Sequence, residues 1–282
     1  MSPARQASAS PRGRVRSELA AIDRRPRKRL AQHLLADPNI IRRIVELAEL
    51  SGTESVLEIG PGLGALTGEL AARCRRLCLI ELDRDFAARL RERFAEQPQV
   101  TVIERDILKV DLRAVCAAPT VVVANLPYNI STPVLFKLLD HADLFSRLVL
   151  MLQREVAQRM QAHANDAAYG ALSVLLQFRA RVRHGVHVGP AAFVPRPQVQ
   201  SEVVVVEPYQ TPPIAVRDAR VLRRVVRAAF QQRRKQLVNS IAAAVSDPRA
   251  ALEQVGIDPT RRPETLTLTE FAALADAVSA LR

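Results

Sequence analysis

The 282-residue sequence predicts an α/β fold: a mostly parallel sheet covered by helices on both faces, followed by a small all-helical C-terminal domain. Three observations carry that expectation. Short β-branched runs alternate with helical patterns between residues 55 and 206. A glycine-rich turn, Gly60-Pro61-Gly62-Leu63-Gly64, directly follows the first of those runs. Beyond a Pro-rich stretch at 207–213, only helical patterns remain.

Residues 1–25 lack apolar periodicity and read as a disordered basic tail. The first helix is expected over 37–50, with Asp37 as N-cap and Pro38 at the first helical position. Strands follow at 55–59, 77–80, 100–103, 121–124 and 148–152, separated by helices at 66–73, 84–95 and 133–139. A helix at 155–160 comes next, and Leu172–Phe178 and Val203–Val206 read as two further strands. Helical patterns at 217–231, 234–245, 248–255 and 269–280 complete the chain. Three segments result: a tail at 1–25, a catalytic domain at 26–208 and a helical domain at 209–282.

Composition narrows the class. Charged residues make up 25% and hydrophobic residues 48%, ordinary values for a globular protein. No apolar run approaches the roughly 20 residues that a membrane-spanning helix needs, and the N-terminus has no secretory signal pattern. A cytoplasmic, monomeric protein is expected. Cys74, Cys78 and Cys116 are too few for a disulfide framework, and no second Cys/His pair stands at zinc spacing, so no metal is expected. The net charge is +12. Residues 1–30 and 217–240 each carry a net +7, which leaves the rest of the chain at −2. Clustered positive charge on a patterned helix points to a polyanion, most simply nucleic acid.

In a doubly wound sheet, ligands bind beyond the carboxyl ends of the strands. The glycine turn lies at such an end, where glycines let the backbone approach a ligand closely. Its spacing, G-x-G-x-G, is not that of a dinucleotide fingerprint, and no Walker lysine follows. Glu81 ends the second strand and can accept bonds from ribose hydroxyls. Asp106 follows the third and can accept from an exocyclic amine. The run Glu58-x-Gly60-x-Gly62-x-Gly64, with acids after the next two strands, resembles class I S-adenosylmethionine-dependent methyltransferases. That resemblance implies a Rossmann-like, mostly parallel seven-stranded sheet and S-adenosyl-L-methionine as methyl donor.

The fourth strand runs into Asn125-Leu126-Pro127-Tyr128. An adenine N6 amine is a poor nucleophile because its lone pair is delocalised into the ring. Two acceptors on its hydrogens draw the nitrogen toward tetrahedral geometry. The Asn125 amide oxygen and the Leu126 carbonyl, fixed by Pro127, suit that task. Tyr128 offers a face for a base drawn out of its stack. No strong general base is needed, because the leaving group of a sulfonium is neutral.

These segments resemble the rRNA adenine N6-methyltransferase family. Residues 125–131, NLPYNIS, match its N-[IL]-P-[YF] motif, and 193–201, FVPRPQVQS, match its F-x-P-x-P-x-V-x-S loop. Residues 28–35, KRLAQHLL, match its K-R-x-x-Q-[NH]-F-L segment. The helix 229–237, AFQQRRKQL, is similar to that of the KsgA/RsmA branch, the small-subunit adenine N6,N6-dimethyltransferases. The R-R-K helix argues against the nearest rival, a large-subunit rRNA methyltransferase. From a different class, a purely RNA-binding assembly factor is spoken against by Asn125, Tyr128 and Phe193.

The resemblance implies that His33, Leu35, Gly60, Glu81, Asp106 and Asn125 hold the cofactor. It implies that Phe193 sandwiches the flipped adenine against Tyr128. Arg223, Arg224, Arg233, Arg234 and Lys235 are expected to contact RNA. The implied substrate is a pair of adjacent adenosines in the 3′-terminal hairpin of 16S rRNA, within the 30S subunit, which receive four methyl groups. The resemblance also allows a second role as a ribosome-assembly checkpoint. Leu34, Arg105 and Ile107 depart from the family's usual Phe, Gly and Ala.

Overall fold

The computed structural model describes residues 10–21, 33–232 and 234–280. Element order is α1 (Pro11–Ala21), β1 (Leu34–Leu35), α2 (Pro38–Leu47), β2 (Ser55–Ile59), α3 (Thr67–Ala71), β3 (Arg76–Glu81) and α4 (Arg84–Arg93). Then come β4 (Val100–Glu104), α5 (Leu112–Val115), β5 (Thr120–Asn125), α6 (Ser131–Asp140), β6 (Phe145–Gln153), α7 (Arg154–Gln161) and α8 (Ala171–Gln177). The chain closes with β7 (Ala180–Val188), β8 (Phe193–Val194), β9 (Ser201–Pro208), α9 (Ala219–Gln231), α10 (Leu237–Ser240), α11 (Pro248–Gln254) and α12 (Leu268–Ala280).

Seven strands form one sheet in the order β4-β3-β2-β5-β6-β9-β7. The pairs among β4, β3, β2, β5 and β6 are parallel, and β9 returns antiparallel to β6. The central strands are apolar almost throughout, as strands buried on both faces must be. Val122, Val123, Leu148, Val149, Leu150 and Val203 to Val206 are essentially inaccessible. β2 has β3 on one side and β5 on the other, so the connections diverge at its carboxyl end. Register then aligns the rim: Ile59 pairs with both Ile80 and Ala124, and Glu81 pairs with Glu104. Gly60, Glu81 and Asn125 therefore emerge together.

Two compact bodies divide the chain. The first comprises the described residues up to Arg154 together with Arg183–Glu207. The second comprises Glu155–Val182 and the described residues from Pro208 onward. The linker at 207–213 thus coincides with a body boundary, but residues 155–182, expected with the catalytic domain, pack with the C-terminal helices. Tyr169 shows why. It is buried, its hydroxyl donates to the Leu266 carbonyl at 2.9 Å, and its ring meets Phe230 edge-on at 5.9 Å. Phe230 in turn packs against the fully buried Phe271.

Two expectations are corrected, and one strand, β7, is added. Leu172–Phe178 is helical, within α8 and its C-cap, rather than a strand. Its apolar run carries no alternation, and the Gly170 amide donates to Ser173 Oγ at the helix start. β7 went unpredicted because its polar and charged side chains mask a strand at the sheet's edge, where such residues are common. The tail is not wholly irregular: Pro11–Ala21 forms α1, which buries Leu19 against Leu63 and Phe86. Val15 and Leu19, one helical turn apart, supply its apolar contact, worth about 2 kcal/mol for the buried leucine. Among the described residues, no helix is long and apolar enough to cross a membrane.

Two features make stability testable. An added Cβ on Gly185 in β7 would lie 2.7 Å from Leu47 Cδ1 and 2.9 Å from the Val203 carbonyl oxygen. Gly185→Ala is expected to lower unfolding free energy by about 1–3 kcal/mol, read by urea titration. Glu58 in β2 is 1% exposed, and Thr67 Oγ1 donates to its carboxyl at 2.7 Å. Burial pushes that carboxyl from an ordinary 4.5 up to about 8, against the opposing bond. With the folded value raised, Glu58 stabilises the fold fully below pH 4.5 and loses that contribution as pH rises toward 8. Glu58→Gln should therefore gain stability relative to the parent between pH 5 and 8, by at most about 1.4 kcal/mol per pH unit. A difference that stays flat across that range would refute the assignment.

Candidate active site

The glycine turn is built by backbone conformation. Gly60, Gly62 and Gly64 have φ of 67°, 58° and 79°, the left-handed region that favours glycine. The Gly60 amide donates to the Ile80 carbonyl at 2.9 Å, fixing the turn to the end of β3. Arg93 Nη1 donates to the Leu63 carbonyl at 3.0 Å and braces it from α4. Glu81 closes the other side. Its two carboxylate oxygens accept from the Gly62 amide at 2.9 Å and the Asp83 amide at 2.8 Å. Burial raises the Glu81 pKa, and these amide bonds oppose the shift. Each oxygen keeps a further lone pair for a ligand hydroxyl.

A cavity of about 590 Å³ opens at this rim. His33, Leu35, Gly60, Glu81, Asp106, Asn125, Leu126 and Tyr128 all line it. Asp106 is half-buried, and its Oδ1 accepts from the Leu108 amide, which orients the side chain. Leu34, where the family has Phe, closes on the turn: an added Cβ at Gly62 would lie 2.9 Å from its Cδ2. Arg105 is exposed and also lines the cavity. Sequence reasoning missed one wall entirely, because α1 contributes Pro11, Arg14, Val15 and Glu18. Glu18 lies 3.5 Å from Arg89 of α4. The only sequence signal was the Val15/Leu19 pair inside an Arg-rich stretch.

Asn125 is fixed by one bond. Its Nδ2 donates to the His33 carbonyl at 3.1 Å. A carbonyl can only accept, so the amide must turn its NH2 there and its Oδ1 away. His33 is placed in turn by Nδ1 at 3.0 Å from the Pro195 carbonyl. Its ring stacks on Tyr128, with centroids 5.5 Å apart. The Tyr128 hydroxyl lies 2.7 Å from Ser201 Oγ, which ties the FVPRPQVQS loop to the NLPY turn. Burial raises the Tyr128 pKa, so the phenol stays neutral and able to donate.

Phe193 does not take the place expected of it. It is fully buried in the core with Leu35, Ile44, Met151 and Val203, and it does not line the cavity. The reason is pairing: β8 runs antiparallel to β1, Phe193 opposite Leu35, and the ring turns into the apolar cluster. His33, not Phe193, stacks on Tyr128.

The basic residues lie on α9 and the turn after it. Val221, Leu222, Val225, Val226, Ala228 and Ala229 bury one face of that helix. Arg223 and Arg224 are half-buried, and Arg224 Nε is enclosed without a hydrogen-bond partner among the described residues. Arg234 and Lys235 are exposed. Arg233 lies outside the described residues, as do residues 28–32 of the KRLAQHLL segment.

Comparison with known proteins agrees with this geometry. The chain is 45% identical over 267 residues to ribosomal RNA small subunit methyltransferase A of Magnetococcus marinus, covering 94% of this chain and 96% of the relative. It is 47% identical over 265 residues to the protein of the same name from Geobacter sulfurreducens, covering 91% and 96%. A dimethyladenosine transferase from Plasmodium falciparum superposes with a TM-score of 0.76 at 27% identity, over 86% of this chain and 96% of that one. The 23S rRNA methyltransferase ErmE shares the fold, with a TM-score of 0.66 at 24% identity over 87% and 99%. Residues 24–279 match the ribosomal RNA adenine dimethylase family, and with the glycine turn, the rim acids and the Asn-Leu-Pro-Tyr turn in one cavity, the chain belongs to that family.

Proposed function

We propose that the protein dimethylates the N6 amines of two adjacent adenosines in the 3′-terminal hairpin of 16S rRNA within the 30S subunit, as a monomer, with S-adenosyl-L-methionine as donor. The observation that carries this reading is the convergence of eight rim residues on one cavity, within a chain of the adenine dimethylase family. The donor fits the walls. The glycine turn leaves backbone exposed where side chains would intrude, Glu81 retains lone pairs for ribose hydroxyls, and Asp106 stands ready for an exocyclic amine. The donor, when bound, supplies an electrophilic methyl on a sulfonium.

The chain's own residues do the rest. Asn125 Oδ1 accepts one N6 hydrogen, and the Leu126 carbonyl is assigned the other. Together they localise the nitrogen lone pair toward the methyl. As the N–C bond forms and the C–S bond breaks, the nitrogen releases a proton to water. Tyr128 supplies the stacking face, backed by His33. Leu35 and His33 close the methionine end. Phe193 acts as a positioning residue that holds β1, and with it His33, against the loop. Alignment and fixed dipoles provide the acceleration, and no general base takes part.

RNA is held by charge. Arg234 and Lys235 offer exposed cations, while Arg223 and Arg224 lie partly within the helix surface; Arg233 is assigned to the same patch from sequence.

Asn125→Ala is expected to lower kcat for methyl incorporation into unmodified 30S particles by about 100-fold or more, with particle binding retained. Binding lost in the variant, with no methyl incorporation by the parent protein, would instead favour a purely RNA-binding protein. The double variant Arg234→Glu, Lys235→Glu should weaken RNA binding at 50 mM salt and flatten the slope of log K against log salt by about 2 for the two lost cations, or more through repulsion. An unchanged slope would remove these residues from the interface.

A further inference from the structure

Three side chains outside the methyl-transfer site meet at the sheet's edge. His184 and His187 stand three apart in β7, so in a regular strand they would face opposite ways. Here their rings lie 4.3 Å apart, tilted by 42°. Both turn toward Glu202 at the start of β9. His184 Nδ1 is 2.8 Å from Oε1, and His187 Nδ1 is 3.5 Å from Oε2. Gly185 lies between the histidines and lets β7 press against the Val203 carbonyl.

We propose that His184, His187 and Glu202 form a binding site for one divalent transition-metal ion of the zinc class. The ligand atoms all lie within 4.8 Å of one another. A tetrahedral ion with bonds of about 2.0–2.1 Å spaces its ligand atoms by about 3.4 Å, so small side-chain rotations complete the cage. The donor set, two imidazoles and a carboxylate, suits zinc, cobalt, nickel and copper and is a poor match for calcium or magnesium. Burial is graded as an entry path requires. Glu202 is 4% exposed at the floor, while His184 and His187 are 43% and 66% exposed at the mouth. Three protein ligands leave the fourth position to water or a partner's side chain.

The site takes no part in methyl transfer. It does anchor β9 at Glu202, next to Ser201, the residue that meets the Tyr128 hydroxyl. The alternative is a hydrogen-bonded His–Glu cluster that takes up no ion.

The test uses the full chain, stripped with chelator, titrated with zinc chloride in a calorimeter and with cobalt chloride under visible absorption. One ion per chain is expected, with the d–d bands of tetrahedral cobalt bound through nitrogen and oxygen. His187→Ala, at an exposed position, should weaken uptake roughly tenfold or more, and Glu202→Gln should do likewise. A His163→Ala control should leave uptake unchanged. Absence of stoichiometric uptake overturns the proposal. So does uptake indifferent to His187→Ala, or a thiolate charge-transfer band placing the cobalt on Cys74, Cys78 or Cys116.

Discussion

The bond from Asn125 Nδ2 to the His33 carbonyl is the contact on which the site's arrangement turns. It joins the end of β5 to the segment that enters β1, residues 92 positions apart. Because the His33 carbonyl can only accept, the bond dictates which end of the Asn125 amide faces the cavity. It also sets His33 where its ring can meet Tyr128 and its Nδ1 the Pro195 carbonyl. This contact and the bond from His33 to Pro195 together connect three of the four family motifs. Substituting Asn125 would remove an acceptor and loosen that junction together.

Charge is distributed to match two different tasks. The rim is acidic and partly desolvated: Glu58 and Glu81 are buried, with pKa values raised by that burial. Such a setting suits a cationic, hydroxyl-rich ligand held by fixed dipoles, since low local polarity strengthens each bond. The excess positive charge is concentrated in two stretches, residues 1–30 and 217–240, and the first of them brings Arg14 to the cavity wall. The second stretch, around α9, is the one suited to long-range attraction of a polyanion.

Much of this was legible in the sequence because it rests on local rules. The βα rhythm, the Asp37 cap and the glycine turn each announce themselves within a few residues, and parallel register carries Gly60, Glu81 and Asn125 to a common rim. The misread parts depend on tertiary context. Leu172–Phe178 is apolar enough for either a strand or a helix, and only its packing partners decide. β7 hides its strand character behind edge charges. Phe193 belongs to a motif that suggests an exposed ring, yet pairing with Leu35 turns it inward. The assignment of residues 155–182 to the helical body follows from Tyr169 and its partners, which no linear spacing reveals.

α1 has a pharmacological consequence. Its residues precede position 24, where the match to the family begins, yet Arg14, Val15 and Glu18 form part of the cavity wall. A small molecule that occupies the floor meets the glycine turn and the rim acids. One extended outward to reach Arg14 and Glu18 also meets a cation and a carboxylate supplied by α1. Compounds grown in that direction would read side chains that lie outside residues 24–279, the span matched to the family.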